Sequence, residues 1–280
     1  MKASCLRLFA LAALLLAAAG AQAAITCSVA SGGFAAAYDP ANPATNVTQT
    51  NFTVTCTRGL AGDPTSVNYS IAVDNGLYAN GVNNRAGYLA NRIRYDVFRD
   101  SSCTSKWKGT TTIAGTITFV GTGTVTQQGN YWGCITAAQT GLAAGIYTDS
   151  VTMTMTYGPA PSLVVVTSFG VSIGTPATCS VSAPPGDLVF DYLALGPAVN
   201  PSTTFGVTCT YALPYTMALD VPGATVVGLA YTLALSSLGS VGTGSQQTYS
   251  INGSMAAGQP GTCAAGTCSG SRVHSVTISY

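Results

Sequence analysis

The feature that most constrains this chain is a duplication of short sequence blocks in a fixed order. The first block of each copy reads TCSV, the second VTCT, the third YxxAxD in which the fifth position is apolar, and the last ends in an alternating strand that finishes with Tyr. Such repetition at matched spacing indicates a duplicated domain. The matched pairs of blocks are residues 25–29 and 177–181, 51–57 and 204–210, 69–74 and 215–220, and 149–157 and 272–280.

Each copy has the pattern of a β-sandwich. Short runs rich in Thr, Val and Tyr are separated by Gly, Asn, Pro and Asp, and in the last run of the first copy Val151, Met153, Met155 and Tyr157 alternate with Thr. That period of two is typical of a half-buried strand, and no helical period competes with it. The sequence predicts an all-β protein of two tandem Ig-like Greek-key β-sandwich domains, the second lacking its final strand.

The stretch between the copies predicts one long strand. Its first face carries an apolar series and its second face is more polar, and the Gly-Pro-Ala-Pro turn at residues 158–161 is too short for a crossover. We therefore expect an antiparallel pair with residues 146–157 that completes the first domain. The alternative makes this stretch the first strand of the second domain. The expected donor-strand face is Leu163, Val165, Thr167, Phe169, Val171 and Ile173.

The matching strand of the second copy ends at Tyr280, so no similar segment is expected to complete that domain. We predict domains at 25–158 and 175–280, with 159–174 as a linker and donor strand. The side of the second domain left open would be a subunit groove formed by His274, Val276, Ile278 and Tyr280.

The first 24 residues have the pattern of a signal peptide. Lys2 and Arg7 precede an apolar run, and Ala21-Gln-Ala23 resembles a signal-peptidase site. The apolar run is shorter than the ~20 residues that a membrane-spanning helix needs. The sequence therefore predicts an exported protein that begins near Ala24 or Ile25.

Cysteine usage agrees with export to an oxidising compartment. Removal of the signal peptide takes Cys5 with it and leaves eight cysteines, for which disulfides are the default expectation. The repeat selects the pairing, since each copy brings two cysteines at nearly the same separation. We predict the disulfides Cys27–Cys56, Cys103–Cys134, Cys179–Cys209 and Cys263–Cys268.

Composition argues against several function classes. The chain has ten Lys and Arg, nine Asp and no Glu, and its only histidine is His274. A nucleic-acid-binding protein would carry a basic face, and two-carboxylate or nucleophilic hydrolysis would need a constellation that these residues do not supply. We therefore expect no enzyme activity, no cofactor, no metal and no nucleic-acid partner.

The TCSV and VTCT pairs, the YxxAxD blocks and the terminal alternating strands together resemble the spore coat protein U domain, the subunit type of archaic chaperone–usher pili. The resemblance implies an incomplete Ig-like sandwich. Its implied partners are a periplasmic chaperone, an outer-membrane usher and an adjacent pilin, with export through the periplasm to the cell surface. The chain departs from an ordinary pilin because it has two domains and no donor segment before Cys27.

This layout predicts a pilus tip subunit whose N-terminal domain contacts a target surface. The alternatives are a spore-coat or extracellular-matrix structural protein that forms no fibre, and a secreted lectin or carbohydrate-active enzyme. Exposed aromatic and aliphatic loop residues bury contact area at low entropic cost. The predicted surface-contact residues are Leu77, Tyr78, Tyr88, Leu89, Tyr131, Trp132 and Leu142.

Overall fold

A computed structural model describes residues 25–40, 44–264 and 266–280, so the predicted signal peptide lies outside the described residues. The described chain is all-β and forms two tandem Ig-like sandwiches. The strands of the first sandwich are β1 (Ile25–Ser31), β2 (Phe34–Ala37), β3 (Asn46–Arg58), β4 (Ser66–Val73), β5 (Asn84–Tyr88), β6 (Asn91–Phe98), β7 (Ile113–Thr118), β8 (Gly123–Ile135), β9 (Gly145–Tyr157) and β10 (Leu163–Thr175). Those of the second sandwich are β11 (Cys179–Ala183), β12 (Ser202–Cys209), β13 (Pro214–Leu219), β14 (Gly223–Val226), β15 (Leu229–Leu235), β16 (Gly239–Val241), β17 (Gln246–Met255) and β18 (Val276–Ser279).

The first sandwich is one sheet that curls around a large core. Its strands follow the order β1-β3-β8-β6-β5-β9-β10-β2, and β4 pairs with both β7 and β9. The alternation in β9 places Val151, Met153 and Met155 in the core, whereas the intervening threonines point outward. Trp107 is fully buried, packs against Phe52 and Tyr131, and donates its indole N–H to a backbone carbonyl.

The second sandwich repeats the strand order of the first. Its two sheets run β11-β12-β17-β15-β14 and β16-β13-β18, which match β1-β3-β8-β6-β5 and β7-β4-β9. The cysteine pairs occupy the same place, because Cys27 lies opposite Cys56 in the β1–β3 pair and Cys179 lies opposite Cys209 in the β11–β12 pair. Eight strands are therefore common to both sandwiches, and β2 and β10 belong to the first alone among the described residues.

A hydrogen-bond network that the sequence comparison missed also repeats. In the first sandwich the backbone N–H of Gln139 donates to the Tyr38 hydroxyl, and its side chain bonds the backbone N–H and C=O of Arg94. In the second, Gln259 makes the same bonds to the hydroxyl of Tyr192 and to the backbone of Ala230. The only sequence signal is the weak likeness of TAAQ at 136–139 to AAGQ at 256–259.

The structure joins all four predicted cysteine pairs as disulfides. Two of them, Cys27–Cys56 and Cys179–Cys209, link the first two shared strands of each sandwich. Cys103–Cys134 ties the long β6–β7 connection to β8, and Cys263–Cys268 closes a short ring before β18.

Removal of the first disulfide is expected to destabilise the first sandwich specifically. Cys27 and Cys56 close a loop of sequence separation 29, and loss of such a cross-link costs ~3.5 kcal/mol on the chain-entropy model. The double variant Cys27→Ala/Cys56→Ala should lower the free energy of unfolding by that amount, measured by urea unfolding with the fluorescence of buried Trp107 as the probe. The matched control, Cys179→Ala/Cys209→Ala, should leave the Trp107 transition in place, and an equal shift in both variants would contradict the assignment.

Candidate strand-accepting groove

Strand β10 is held on both sides. It pairs antiparallel with β9 along its whole length, from Leu163↔Tyr157 to Thr175↔Gly145, which is the pairing expected from the Gly-Pro-Ala-Pro turn. Its second half also pairs in parallel with β2, from Val171↔Phe34 to Gly174↔Ala37. The segment between the sequence repeats therefore lies inside the first sheet rather than at its edge.

The predicted inward face of β10 covers the core of the first sandwich. Phe169, Val171 and Ile173 are buried, Val165 is half-buried against the same core, and Leu163 at the start of the strand is exposed. The remaining member of this face, Thr167, is half-buried. The Phe169 ring lies 5.4 Å from the Tyr131 ring.

A close approach at Gly33 allows β2 to reach β10. Gly33 has φ +75°, a conformation that favours glycine, and a Cβ at this position would collide with the backbone oxygen of Gly170 in β10. The turn between β1 and β2 is therefore shaped to fit against β10.

The second sandwich presents the same strand edge without a covering strand. The registers agree residue for residue, since Ile71 lies opposite Met155 in the β4–β9 pair and Met217 lies opposite Ile278 in the β13–β18 pair. The Asp74 N–H bonds the Thr152 carbonyl, and its counterpart Asp220 bonds Ser275 in the same way. Within the described part of the chain, no strand pairs with the other edge of β18.

Matched side chains of β9 and β18 differ in their exposure to solvent. In the first sandwich Met153 and Met155 are fully buried, whereas their counterparts Val276 and Ile278 are only half-buried against the smaller second core. Tyr157 is 7% exposed and its counterpart Tyr280 is 61% exposed.

The first strands of the two sandwiches, β1 and β11, show a similar difference in side-chain exposure. Val29 in β1 is 5% exposed, and Val181 at the same place in β11 is 47% exposed. Both lie opposite a fully buried valine of the next strand, so both point toward the core. We call the space between β18 and β11 the open groove; the apolar side chains that line it are Val181, Val276, Ile278 and Tyr280.

His274 lies just before β18, at the place of Val151 in the repeat. Its Nε2 is 2.7 Å from the Tyr231 hydroxyl and its Nδ1 is 3.0 Å from Asp220 Oδ1. The hydrogen bond from His274 holds the pKa of the Asp220 carboxyl below its usual range. Because both ring nitrogens are engaged within the second sandwich, the histidine braces the end of the open groove.

The first sandwich has a different polar cluster near the same place. Asp149 accepts hydrogen bonds from the Tyr95 hydroxyl, 2.6 Å away, and from the backbone N–H of Leu77. Burial raises the pKa of the Asp149 carboxyl, against the lowering effect of these hydrogen bonds. β10 pairs with β9 beside this cluster, where Val171 lies opposite Asp149.

Two of the predicted surface-contact residues are wrong. Tyr131 is fully buried between the rings of Trp107 and Phe169, and Leu142 is 4% exposed in the first core. The alternation of β8 turns Tyr131 inward, so its neighbour Trp132 is the outward-facing member of that pair and is half-buried.

The other candidates lie at one end of the first sandwich. Leu77 and Leu89 are strongly exposed, whereas Tyr78 and Tyr88 are half-buried; the Arg92 guanidinium lies 4.3 Å above the Tyr78 ring. Tyr88 packs against the core and contacts the backbone at Gly145, opposite the last residue of β10. These residues are therefore at the end from which the chain enters the second sandwich.

The described ranges contain neither a membrane-spanning helix nor a metal-binding cluster of side chains. No helix there is long and apolar enough to cross a membrane. No three His, Cys, Asp or Glu side chains of these residues converge on a point where a metal ion would bind.

Comparison with known proteins identifies the family. A family model described as the spore coat protein U domain matches residues 12–154, just over half of the chain. The chain belongs to the spore coat protein U domain family. The match covers the first copy of the repeat up to residue 154, and the second sandwich of this family member is related to the first by the shared strand order and registers described above.

Curated proteins give no significant match to the chain. Among solved structures, the chain is similar to the CsuC–CsuE chaperone–tip adhesion subunit pre-assembly complex from archaic chaperone–usher Csu pili of Acinetobacter baumannii, at 13% identity over 91% of this chain and 99% of that chain, with a TM-score of 0.44. It is also similar to the CupB6 tip adhesin of Pseudomonas aeruginosa, at 11% identity over 92% of this chain and 95% of that chain, with a TM-score of 0.39.

Proposed function

We propose that this protein is a structural and adhesive subunit of a bacterial surface pilus, assembled by donor-strand complementation. The observation that carries the proposal is internal to the chain: one strand edge is filled by β10 in the first sandwich and is open in the second. An open edge beside exposed apolar side chains favours the addition of a strand, because the backbone groups pair while alternate side chains enter the groove.

The proposed partners follow from the open groove. An uncovered strand edge promotes aggregation, so the subunit needs a periplasmic chaperone until an adjacent pilin supplies the strand, with an outer-membrane usher as the site of exchange. The expected location is the cell surface, reached through the periplasm. The role is structural, and no catalytic step is assigned to the protein.

We propose the tip of the fibre as the position of this subunit. Its strand β1 is engaged with β3 over its full length, from Ile25↔Arg58 to Ser31↔Phe52, and β10 is engaged within the first sandwich. The chain then accepts one strand, at the open groove. In this proposal residues 25–158 form the surface-contacting domain, 159–174 its donor segment and 175–280 the domain that joins the fibre.

We propose that the target-contacting end of the first domain is the end away from the second domain. The β3–β4 and β7–β8 connections lie at the end of the sheet where β9 turns into β10, because Arg58 pairs with Gly123, Ser66 with Thr118 and Tyr69 with Tyr157. Leu60 and Val120, in these two connections, are 60% and 102% exposed. We therefore propose Leu60 and Val120 as contact residues, because Tyr131 and Leu142 are buried and the other loop candidates, Leu77, Tyr78, Tyr88 and Leu89, lie at the opposite end, next to the second domain.

The experiment compares two aspartate substitutions in β11. Val181→Asp puts a charge into the open groove at a side chain that is already half exposed, so the free subunit should fold, but the groove should lose its strand. Ser180→Asp, on the outward face, is the control. The readout is the amount of subunit in surface fibres, seen by immunogold labelling, in cells with and without the neighbouring chaperone.

Loss of the subunit from fibres with Val181→Asp, but not with Ser180→Asp, is the expected result. Fibres that incorporate both variants equally would rule out strand addition at this groove. Surface display without any fibre, unaffected by loss of the chaperone, would instead support the coat or matrix alternative.

A further inference from the structure

Two lysines of the first sandwich converge on one buried carboxylate. Beyond the predicted signal peptide the sequence contains only Lys106 and Lys108 as lysines. The Lys106 ammonium lies 2.7 Å from Asp96 Oδ2, and the Lys108 ammonium lies 3.3 Å from Asp96 Oδ1. Asp96 is buried in β6, so it is the meeting point of every lysine side chain of the mature chain.

Lys108 differs from its neighbour because it also contacts a buried amide. Its Nζ donates to Oδ1 of Asn84, the first residue of β5. Asn84 is fully buried, and its side-chain nitrogen, Nδ2, has no hydrogen-bond partner among the described residues. The backbone N–H of Asn84 donates to Asp96 Oδ1 over 3.2 Å, so one carboxylate oxygen lies beside both the lysine and the asparagine.

The backbone holds these side chains in place. Asn84 lies opposite Tyr95, the residue before the carboxylate, in the β5–β6 pair. The segment that carries Lys108 runs back along β6, because the Trp107 N–H donates to the Val97 carbonyl over 2.9 Å. The approach of the ammonium to the amide is therefore fixed by backbone pairing on both sides of β6.

The surroundings favour a reaction between the two side chains. Burial lowers the pKa of the Lys108 ammonium, against the raising effect of the Asp96 carboxylate. A desolvated lysine with a lowered pKa is the form of this residue that acts as a nucleophile. The unpartnered Nδ2 of Asn84 costs free energy as long as it stays buried, and its departure would remove that cost.

We propose that Lys108 and Asn84 form an intramolecular isopeptide bond, with Asp96 as the catalytic residue. Asp96 takes a proton from the Lys108 ammonium, and the free amine attacks Asn84 Cγ. One proton of Nζ moves to Nδ2, the Cγ–Nδ2 bond breaks as the carbonyl re-forms, and ammonia leaves. The proton held by Asp96 leaves with it as ammonium. One C–N bond forms and one breaks, so no oxidant or reductant is needed.

The bond ties the start of β5 to the β6–β7 connection. The disulfide Cys103–Cys134 already holds this connection to β8, and an amide adds a cross-link that reduction does not open. The second sandwich contains no lysine, so the bond is confined to the first. The reaction occurs once, within the chain, and is a maturation step of a structural protein that goes beyond the proposed function.

The test is the mass of the full exported chain, measured after reduction and denaturation. We expect a mass below that calculated from the sequence and the determined N-terminus, by one ammonia molecule. Digestion should release a branched peptide that joins residue 84 to Lys108, and trypsin should not cleave after Lys108. Lys108→Arg should restore the full mass, because a guanidinium stays charged and does not attack the amide.

Lys106→Arg is the matched control. Lys106 pairs with the same carboxylate but donates to Asn83, so this variant should still lose ammonia. Asp96→Asn should keep the full mass, because the amide cannot take the proton of the lysine. The fluorescence of buried Trp107 verifies that each variant still folds.

Two results would overturn the proposal. The first is the full calculated mass in the chain of natural sequence, which would make the cluster a set of ion pairs and hydrogen bonds only. The second is a loss of ammonia that persists in Lys108→Arg, because it would come from cyclisation of an asparagine onto its own backbone.

Discussion

The variant Phe169→Asp is expected to unfold the first sandwich. Phe169 is 3% exposed, its ring packs on Tyr131, and it lies opposite the fully buried Val151. Removal of a buried phenylalanine side chain costs ~3–5 kcal/mol, and an unpaired carboxylate adds the cost of burying a charge. The total is comparable to the whole stability of a domain of this size.

Ser168→Asp is the matched control. Ser168 is the neighbouring residue of β10 and is exposed on the outward face, opposite Thr152, so its substitution should change the free energy of unfolding by about 0.5 kcal/mol or less. The two variants are compared by urea unfolding, with the fluorescence of Trp107 as the probe. Trp107 is fully buried in the same core. Equal stability of both variants would mean that β10 is dispensable to the first sandwich.

A chain extended after Tyr280 by a second copy of residues 158–175 is expected to have a much more stable second sandwich. The copies of Val165, Phe169, Val171 and Ile173 would cover Val181, Val276 and Ile278, and burial of each large apolar side chain contributes ~1.5–3 kcal/mol before ordering costs. We expect a net gain of roughly 3 kcal/mol, which corresponds to an increase in melting temperature of about 10 °C or more.

Differential scanning calorimetry measures this effect, with the Trp107 transition as a marker of the first sandwich. The appended segment should raise the melting temperature of the second sandwich. The melting temperature of the first sandwich, which Trp107 reports, should stay unchanged. An appended segment with aspartate in place of its phenylalanine should give no gain. If the intact extension also gives none, the two sandwiches do not share a completing-strand site.

Much of the fold could be predicted from local patterns. Period-two alternation identified β9 and β10 and the face that each buries, because the side-chain direction in a strand depends only on position. The short turn predicted their antiparallel pairing, and the repeat matched the cysteines that the structure joins. β2 was not predicted, because Phe34–Ala37 is short and is a strand only through its pairing with β10.

The contact residues were the least predictable part of the site. Tyr131 and Leu142 stand beside turn residues in the sequence, yet both are buried. Whether an apolar residue near a turn is exposed depends on which distant strands pack over it, and nothing local encodes that. Leu60 and Val120 carry no distinguishing pattern, and only the sheet register shows that their connections share one end.

By itself the sequence determined the duplication, the inward faces of the strands and the cysteine pairs, because each of these follows from spacing within a segment or between two matched blocks. Tertiary structure alone decided that β2 holds the second side of β10 and that Tyr131 and Leu142 are buried. The β2–β10 pair joins Phe34 to Val171, and the Tyr38–Gln139 bond spans 101 residues. Such contacts depend on how the whole sheet curls, so the spacing within a segment does not encode them.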